Sequence, residues 1–157
     1  MKKIMRIVII CAFFIAAQGV CQDKSFSWKG QVFKGYFVTK DGRTQPVDDF
    51  TNLSEFHTFV YLDQGIIMPL PIVYVKSLTL LEANKIQIAK HNGEVSTAEI
   101  WDDAPQRCMI FTTFRAEATV YVRELQYEFR DESRAASPQS KISLCDVKKI
   151  VFESPKN

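Results

Sequence analysis

The chain has 157 residues, of which 46% are hydrophobic, 24% are charged and 12% are aromatic. This composition is that of an ordinary globular protein, and it excludes a disordered tail, a collagen-like fibre and a coiled coil. The formal net charge of the whole chain is +2 at pH 7, and its isoelectric point is about 8.3.

Residues 1–21 have the three-part layout of a secretory signal peptide. The cations Lys2, Lys3 and Arg6 precede an apolar run over residues 7–17, and small and polar residues follow it. The run is shorter than the ~20 residues that a membrane-spanning helix needs. We therefore expect export, with no integral membrane span after the signal is removed.

Two cleavage sites fit this layout, after Gly19 and after Cys21, and we expect cleavage after Cys21. The mature chain then begins at Gln22, and the protein is periplasmic or secreted, as the short, bacterial type of signal indicates. An alternative makes Cys21 the acylated first residue of a lipoprotein that its lipid anchors to the membrane. The preceding residues Gln18–Val20 resemble a lipobox poorly, because that motif has an aliphatic residue three positions before the cysteine.

Removal of residues 1–21 changes the charge balance of the chain. It removes three cations and no anion, so 20 basic residues become 17 against 18 acidic residues, which is a net charge of −1. The basic character therefore belongs to the export segment. A near-neutral mature chain predicts no binding to nucleic acid, and the basic pair Lys148–Lys149 is interpreted as a solvated strand end.

Alternation of apolar and polar residues recurs along the mature chain and predicts strands. The predicted strands are residues 31–39, 57–62, 73–80, 85–89, 109–114, 118–122, 125–129 and 147–152. Glycine turns at residues 40–42, 63–65 and 91–93 separate several of them. The sequence therefore predicts an all-β fold, either an antiparallel sandwich or two closely packed small β-barrel units.

Two segments depart from this pattern. Residues 51–60 leave one short helix open, because Asn52 or Ser54 could cap a run of apolar residues at helical spacing. Residues 130–140 are charged and rich in serine, and they contain Pro138. They predict a long surface loop.

Two parts of the mature chain resemble each other. Tyr36–Gly42 and Ile86–Gly93 each consist of a strand that ends in a glycine turn, and Val75–Leu80 matches Val147–Phe152. These matches predict an internal duplication in which the second copy holds about 21 additional residues, placed near residues 115–140.

The duplication divides the mature chain into a first β unit, 22–83, and a second β unit, 84–157; the alternative is one compact domain. The closing run Ile142–Phe152 resembles the last strands of small SH3-like or Sm-like β-barrels, and the stretch from Ile86 through the Gly93 hairpin resembles their first strands. The resemblance implies a noncatalytic binding or scaffolding module. It transfers no ligand residue, because these families share architecture more than sites.

The mature chain keeps two cysteines, Cys108 and Cys145. They either form a disulfide, which an exported protein can retain, or pack as two buried thiols. A disulfide would stabilise the fold by about 3 to 4 kcal/mol. Neither His57 nor His91 stands at zinc-ligand spacing from them, so no metal site is predicted.

Catalytic candidates are few. His57 and His91 are the only histidines, and Asp48–Asp49 and Asp102–Asp103 are the paired carboxylates. His57 is interpreted as a surface residue and His91 as a solvated turn residue, and no nucleophile, phosphate-binding or dinucleotide-binding motif accompanies them. We predict no catalytic residue and no cofactor, and a hydrolase or metal-dependent enzyme that uses these side chains is the alternative.

Aromatic residues near the strand ends are the candidates for ligand binding. Trp28 opens the first predicted strand, Tyr36 alternates with core residues, and Trp101 precedes Asp102. Flat rings beside a carboxylate suit a sugar or a peptide, although the same rings could cover the ends of a β core. The predicted function is a binding or envelope-structural role, with an envelope protein, peptide or glycan as the partner.

Overall fold

A computed structural model of the chain describes residues 32–82, 84–101, 107–115, 117–129 and 139–154. The predicted signal at residues 1–21, including the lipidation candidate Cys21, lies outside the described residues. Two of the candidate binding residues, Trp28 and Asp102, also lie outside them.

The described residues form an antiparallel all-β fold, which confirms the predicted fold class. The strands are β1 (Gly35–Thr39), β2 (Thr44–Val47), β3 (Thr58–Asp63), β4 (Ile66–Pro71), β5 (Val75–Leu80), β6 (Lys85–Lys90), β7 (Val95–Ile100), β8 (Phe111–Arg115), β9 (Ala118–Val122), β10 (Glu124–Glu128), β11 (Gln139–Ser143) and β12 (Val147–Phe152). Short 3-10 helices, Ile72–Tyr74 and Leu144–Asp146, directly precede β5 and β12.

Nine strands follow one another in the order β2-β1-β12-β5-β6-β7-β3-β8-β9, and β4 pairs with β3 beside this path. Strands β10 and β11 form a separate pair. Because the order ends at β2 and at β9, the sheet of the described residues is open rather than a closed barrel. This arrangement is consistent with the first of the two predicted architectures, the antiparallel sandwich.

One hydrophobic core joins both halves of the chain. Its fully buried members include Phe37, Phe59, Leu78, Ile88, Leu125 and Ile150. Each such side chain stabilises the fold by about 1.5 to 3 kcal/mol relative to an exposed position. The alternation that predicts the strands thus corresponds to inward-facing residues that share one interior.

The two halves of the chain repeat the same hairpin. In the turns after β1 and after β6, the amide of Gly42 or Gly93 donates to the carbonyl oxygen of Thr39 or Lys90 over 3.0 Å. Both glycines have positive φ, 89° and 92°, a conformation that residues with a side chain rarely adopt. The two predicted Gly turns therefore have equivalent geometry.

The halves also repeat the strand, 3-10 helix and strand that end each of them. The amide of Ile72 donates to the carbonyl oxygen of His57, and the amide of Leu144 donates to that of Arg123, each over 2.9 Å. The two halves therefore repeat the same arrangement of elements, and an internal duplication as its origin stays a prediction. The second half differs by the inserted β8–β9 hairpin and by a longer connection between β10 and β11.

Strands β5 and β12 are equivalent in the repeat and pair with each other. Leu78 lies opposite Ile150, and each occupies the same position in its own copy. A two-fold rotation that places each half on the other leaves this antiparallel pairing unchanged. A pseudo-two-fold axis therefore passes between Leu78 and Ile150.

Each half pairs its first hairpin with the other half. Strand β1 pairs with β12, and β6 pairs with β5. Asp49, just after β2, forms a bridge with Glu128 in β10, and β7 pairs with β3 through Ile100 and Tyr61. The sheet thus crosses the predicted boundary between residues 22–83 and 84–157, and the number of independently folding units stays a prediction.

Gly35 marks the closest approach between β1 and β12. A Cβ atom at this position would overlap the backbone carbonyl oxygen of Val151. The equivalent position in the second hairpin is Ile86, which is fully buried opposite Leu80. The two copies therefore differ where one needs a glycine for close backbone contact and the other supplies a core side chain.

The short helix left open near residues 51–60 is absent from the structure. This segment consists of turns. The amide of Leu53 donates to the carbonyl oxygen of Phe50, the amide of His57 donates to that of Ser54, and β3 begins at Thr58. Leu53 is buried in the core while Phe56 is 71% exposed. The apolar residues therefore do not share one helical face, and strand pairing of β3 on both sides determines the conformation.

The strand ranges predicted from alternation do not include β2, β4, β7 and β11. Strands β2 and β4 contain prolines, and each has one strand neighbour among the described residues, which is the position in a sheet that tolerates proline. Strands β7 and β11 are mostly polar; β7 is mostly exposed, and β11 has no buried residue. Strand β11 also begins at Gln139, inside the predicted loop 130–140, of which residues 130–138 lie outside the described residues.

Candidate functional site

The β8–β9 hairpin is the part of the fold that the internal repeat does not explain. Strand β8 pairs with the start of β3 through Thr58 and Phe59, beside the residues of β3 that pair with β7. Strand β9 pairs with β8 and is the last strand of the sheet among the described residues. Its residues Ala118–Tyr121 are all exposed.

Pairing between β8 and β9 separates the hairpin into two faces. Phe111 and Thr113 are buried, whereas Phe114 is 72% exposed on the opposite face. Tyr121 lies opposite Thr112 and therefore shares the outer face with Phe114. Arg123, two residues after Tyr121, continues the same alternation.

Trp101 completes this outer face. Its ring stacks on that of Tyr121, with 5.8 Å between centroids and 25° between the planes. The guanidinium carbon of Arg123 lies 5.9 Å from the centre of the Tyr121 ring, which is a cation–π distance. We call Trp101, Phe114, Tyr121 and Arg123 the aromatic face.

The aromatic face contains one of the predicted binding residues. Trp101 belongs to it, but Tyr36 is half-buried on β1 between Pro46 of β2 and Val151 of β12, many strands away in the sheet order. Phe114, Tyr121 and Arg123 were not among the predicted binding residues. The spacing of Tyr121 and Arg123, two residues apart at the end of a predicted strand, was the available signal.

His57 is buried rather than at the surface, which corrects its interpretation. His57 is only 3% exposed, and the Ser54 amide donates to its Nδ1 atom over 3.0 Å. This hydrogen bond places the proton of the neutral ring on Nε2. His57 therefore closes the turn that leads into β3.

His91 lies in a turn, as predicted, but it is half-buried rather than fully solvated. Its Nδ1 atom is 3.1 Å from the hydroxyl oxygen of Ser154. Burial lowers the pKa of both His91 and His57 below the ordinary value of 6.5, because a charged ring loses solvation. The charges of Lys76 and Arg115 act in the same direction on His91 and His57 respectively.

Acidification from about pH 7.5 to about pH 5.5 is expected to lower the free energy of unfolding. The folded-state pKa values of both histidines lie below the unfolded value, so the unfolded chain binds protons first as the pH falls through 6.5. Urea unfolding at the two pH values measures the change. His57→Asn, which keeps an acceptor for the Ser54 amide, should reduce the pH dependence, and a wild-type stability that rises on acidification would contradict the prediction.

The carboxylate pair Asp48–Asp49 lies on the segment that follows β2. The amide of Asp48 donates to the carbonyl oxygen of Glu128 over 2.8 Å, so the backbone of this segment continues the sheet. Burial raises the pKa of Asp49, and the carboxylate of Glu128 acts in the same direction. The described side-chain hydrogen bonds of His57 and of Nδ1 of His91 go to serines.

The hydrolase alternative stays a prediction, because its second carboxylate pair, Asp102–Asp103, lies outside the described residues. Within the part of the chain that the structure describes, no three His, Cys, Asp or Glu side chains are placed to hold a metal ion. In that same part, no helix has the length and apolar character needed to cross a membrane.

A disulfide joins Cys108 to Cys145, which is the first of the two predicted alternatives. Cys108 is buried in the segment before β8, and Cys145 lies in the 3-10 helix before β12. The Lys40 amide donates to the carbonyl oxygen of Asp146 over 2.8 Å, which ties the β1–β2 turn to the same place. The disulfide therefore anchors the inserted hairpin to the repeated part of the fold.

Comparisons of this chain with protein-family models, with curated protein sequences and with solved structures found no match.

Proposed function

We propose that the protein is exported and acts as a noncatalytic binding module, in which an extended segment of an envelope protein docks on β9 and the aromatic face. The observation that carries this proposal is the position of β9, the last strand of the described sheet, beside the stacked rings of Trp101 and Tyr121 and the exposed ring of Phe114. An extended peptide can use both features, because its backbone pairs with the edge while its side chains contact the rings.

Two features support export. Residues 1–21 have the layout of a signal peptide, and the Cys108–Cys145 disulfide is of a kind that persists in oxidising compartments. The expected processed chain begins at Gln22 and carries no lipid. An intact mass that includes an acyl group on Cys21 would support the anchored form instead.

The sheet edges support the choice of β9 as the docking strand. Natural edge strands are protected from further pairing by proline, by charge or by a covering element. Strand β2 contains Pro46, and β4 contains Pro69 and Pro71. Strand β9, with the sequence Ala-Thr-Val-Tyr-Val, contains neither proline nor lysine, so it retains the features that favour pairing.

The aromatic face supplies the side-chain contacts. Phe114 and Tyr121 are 72% and 47% exposed. Burial of a ring of this size would lower the free energy by about 1.5 to 3 kcal/mol. Aromatic residues and arginine are the side chains most enriched among those that dominate binding energies at protein interfaces. An extended peptide on β9 would cover these rings with every second side chain.

Selection of random linear peptides on immobilised residues 22–157 tests the proposal. The Trp28→Phe variant leaves Trp101 as the single tryptophan, so its fluorescence reports binding at the aromatic face. We expect selected peptides to change this fluorescence and to lose about tenfold or more in affinity in Trp101→Ala and Tyr121→Ala. Tyr74→Ala, which removes an exposed tyrosine outside the face, is the matched control.

Hydrogen exchange distinguishes the occupants of this surface. An added peptide strand should slow the exchange of amides in β9, Ala118–Val122, because their outward groups become paired. If soluble envelope glycans bind and the exchange of the β9 amides is not slowed, the ligand is a sugar rather than a peptide. Slower β9 exchange that depends only on protein concentration would instead identify a second copy of this chain as the partner.

A further inference from the structure

A cleft of about 620 Å³ shares no lining residue with the aromatic face and lies where the β1–β2 turn, β12, the β5–β6 turn, the end of β7 and the segment before β8 meet. Its lining contains one anion, Glu82, and four cations: Lys40, Lys85, Arg107 and Lys148. The charged side chains of the described lining therefore sum to +3.

The fold brings these cations together from four separate places. Lys40 is in the β1–β2 turn, Lys85 begins β6, Arg107 precedes β8 and Lys148 is on β12. All four residues are exposed. Since the mature chain is predicted to carry a net charge of −1, this concentration of positive charge does not follow from overall composition.

Lys148 is placed by an irregularity in the sheet. Val147 lies opposite Thr39 and Lys149 lies opposite Val38, so Lys148 has no opposite residue in β1 and forms a bulge. Bulges redirect side chains and are frequent beside functional sites. The basic pair that the sequence analysis assigned to a solvated strand end therefore contributes one member to a cleft.

Arg107 is held in place by its neighbours. Cys108, the next residue, is bonded to Cys145, and the ammonium group of Lys40 donates to the carbonyl oxygen of Arg107 over 3.5 Å. Arg107 also has a φ of 51°, which costs free energy for a residue with a side chain. The covalent link therefore holds the backbone of this strained residue beside the cleft.

Ion pairs among the described residues join Asp41 to Arg43, Lys90 to Glu94 and Glu124 to Lys141, and the cleft residues Lys85, Arg107 and Lys148 belong to none of these pairs. Concave surfaces lined by charge of one sign concentrate ions of the opposite sign. The cleft therefore favours an anionic occupant.

We propose that this cleft binds a small organic molecule that carries oxyanion groups, phosphate or carboxylate, at a site separate from the aromatic face. Lysine and arginine bind such groups through charge-assisted hydrogen bonds. The volume is within the range of small-molecule pockets, about 300 to 1,000 Å³, and exceeds that of a bare ion. The apolar residues Leu80, Leu81 and Ile100 line the same cleft and can contact the uncharged part of the ligand.

Calorimetric titration of residues 22–157 tests this proposal with defined probes. The probes are glucose 6-phosphate, glucose, inorganic phosphate and citrate. We expect glucose 6-phosphate or citrate to bind more tightly than phosphate, and glucose not to bind. Comparison of the affinities for glucose 6-phosphate and for citrate distinguishes phosphate recognition from carboxylate recognition. Added salt should weaken either interaction.

Two double variants with the same change in net charge locate the site. Arg107→Gln/Lys148→Gln is expected to lower the affinity about tenfold or more, because two charge-assisted contacts are lost. Lys34→Gln/Lys141→Gln, which removes two exposed cations outside the cleft lining, is expected to bind as the wild type does. The single variant Lys148→Gln serves if the first double variant does not fold.

Equal losses in the two double variants would overturn the proposal, because they would reflect net charge alone. Absence of binding by every oxyanion probe at millimolar concentration would also overturn it. Binding of a short oligonucleotide in preference to all small probes would replace it with a nucleic-acid site. None of these outcomes depends on peptide binding at β9, so the two proposals fail separately.

Discussion

Residues 22–83 and 84–157, expressed as separate chains, are each expected to remain unfolded. The β1–β2 hairpin in the first fragment pairs with β12 and the Asp49 segment pairs with β10, and both partners are in the second fragment. The β6–β7 hairpin in turn needs β5 and β3 of the first fragment. Each fragment thus loses the strands that bury its hairpin, and small β units retain little stability without them.

Far-UV circular dichroism and amide dispersion in NMR spectra measure this result. A circular permutant provides the matched control, because Lys34 and Glu153 meet at the equivalent of the β5–β6 turn. The Leu81 amide donates to the carbonyl oxygen of Lys85 over 2.8 Å, and the Glu153 amide donates to that of Lys34 over 2.9 Å.

The control permutant joins Ser154 to Phe33 through a short glycine linker and opens the chain between Glu82 and Asn84. It keeps every strand pair and is expected to fold. A folded monomer of residues 22–83 would contradict the prediction. It would mean that β5 can pair with β1 of its own copy, so that the hairpin exchange is not required for stability.

Replacement of both cysteines, Cys108→Ala/Cys145→Ala, is expected to lower the free energy of unfolding by about 3 to 4 kcal/mol. The disulfide closes a loop with a sequence separation of 37 residues, and without it the unfolded chain gains conformational freedom. Urea unfolding of the mature chain with and without the replacement measures the loss. Addition of a reductant to the wild type should produce a similar decrease.

A thiol titration of the native mature chain is the accompanying check. Residues 22–157 contain only Cys108 and Cys145, so no free thiol is expected before reduction and two after it. Two free thiols in the oxidised protein would contradict the disulfide. An unchanged free energy of unfolding in the double variant would instead show that loop closure does not limit the unfolded chain.

Local patterns predicted strands in which buried residues alternate with exposed ones, such as β6 at residues 85–89 and β12 at residues 147–152. Residues 118–122 also match β9, although no residue of β9 is buried, and the three predicted glycine turns all connect strands. The strand ranges predicted from alternation did not include β2 or β4, which contain prolines that are tolerated because each strand lies at an edge. Edge position is a property of the assembled sheet, so a local pattern does not reveal it.

The candidate sites show the same division. Trp101 was predicted as a binding residue from its position near a strand end, but its stacking partner Tyr121 lies on another strand and could not be paired with it from spacing. His57, which lies among Phe56, Phe59 and Tyr61 in the sequence, was interpreted as a surface residue rather than a catalytic base, but it is buried. The core around it comes from strands that are distant in sequence, and only their packing buries the ring.

The sequence by itself determined the all-β class, the turns with positive φ, the pattern of an export signal and the repeat between the two halves. These features depend on residues that are near one another in the chain. Tertiary structure alone decided that the halves exchange hairpins, that Cys108 and Cys145 are joined, and that four cations share one cleft. Strand pairing and charge clustering depend on distances between remote residues, which alternation and composition do not encode.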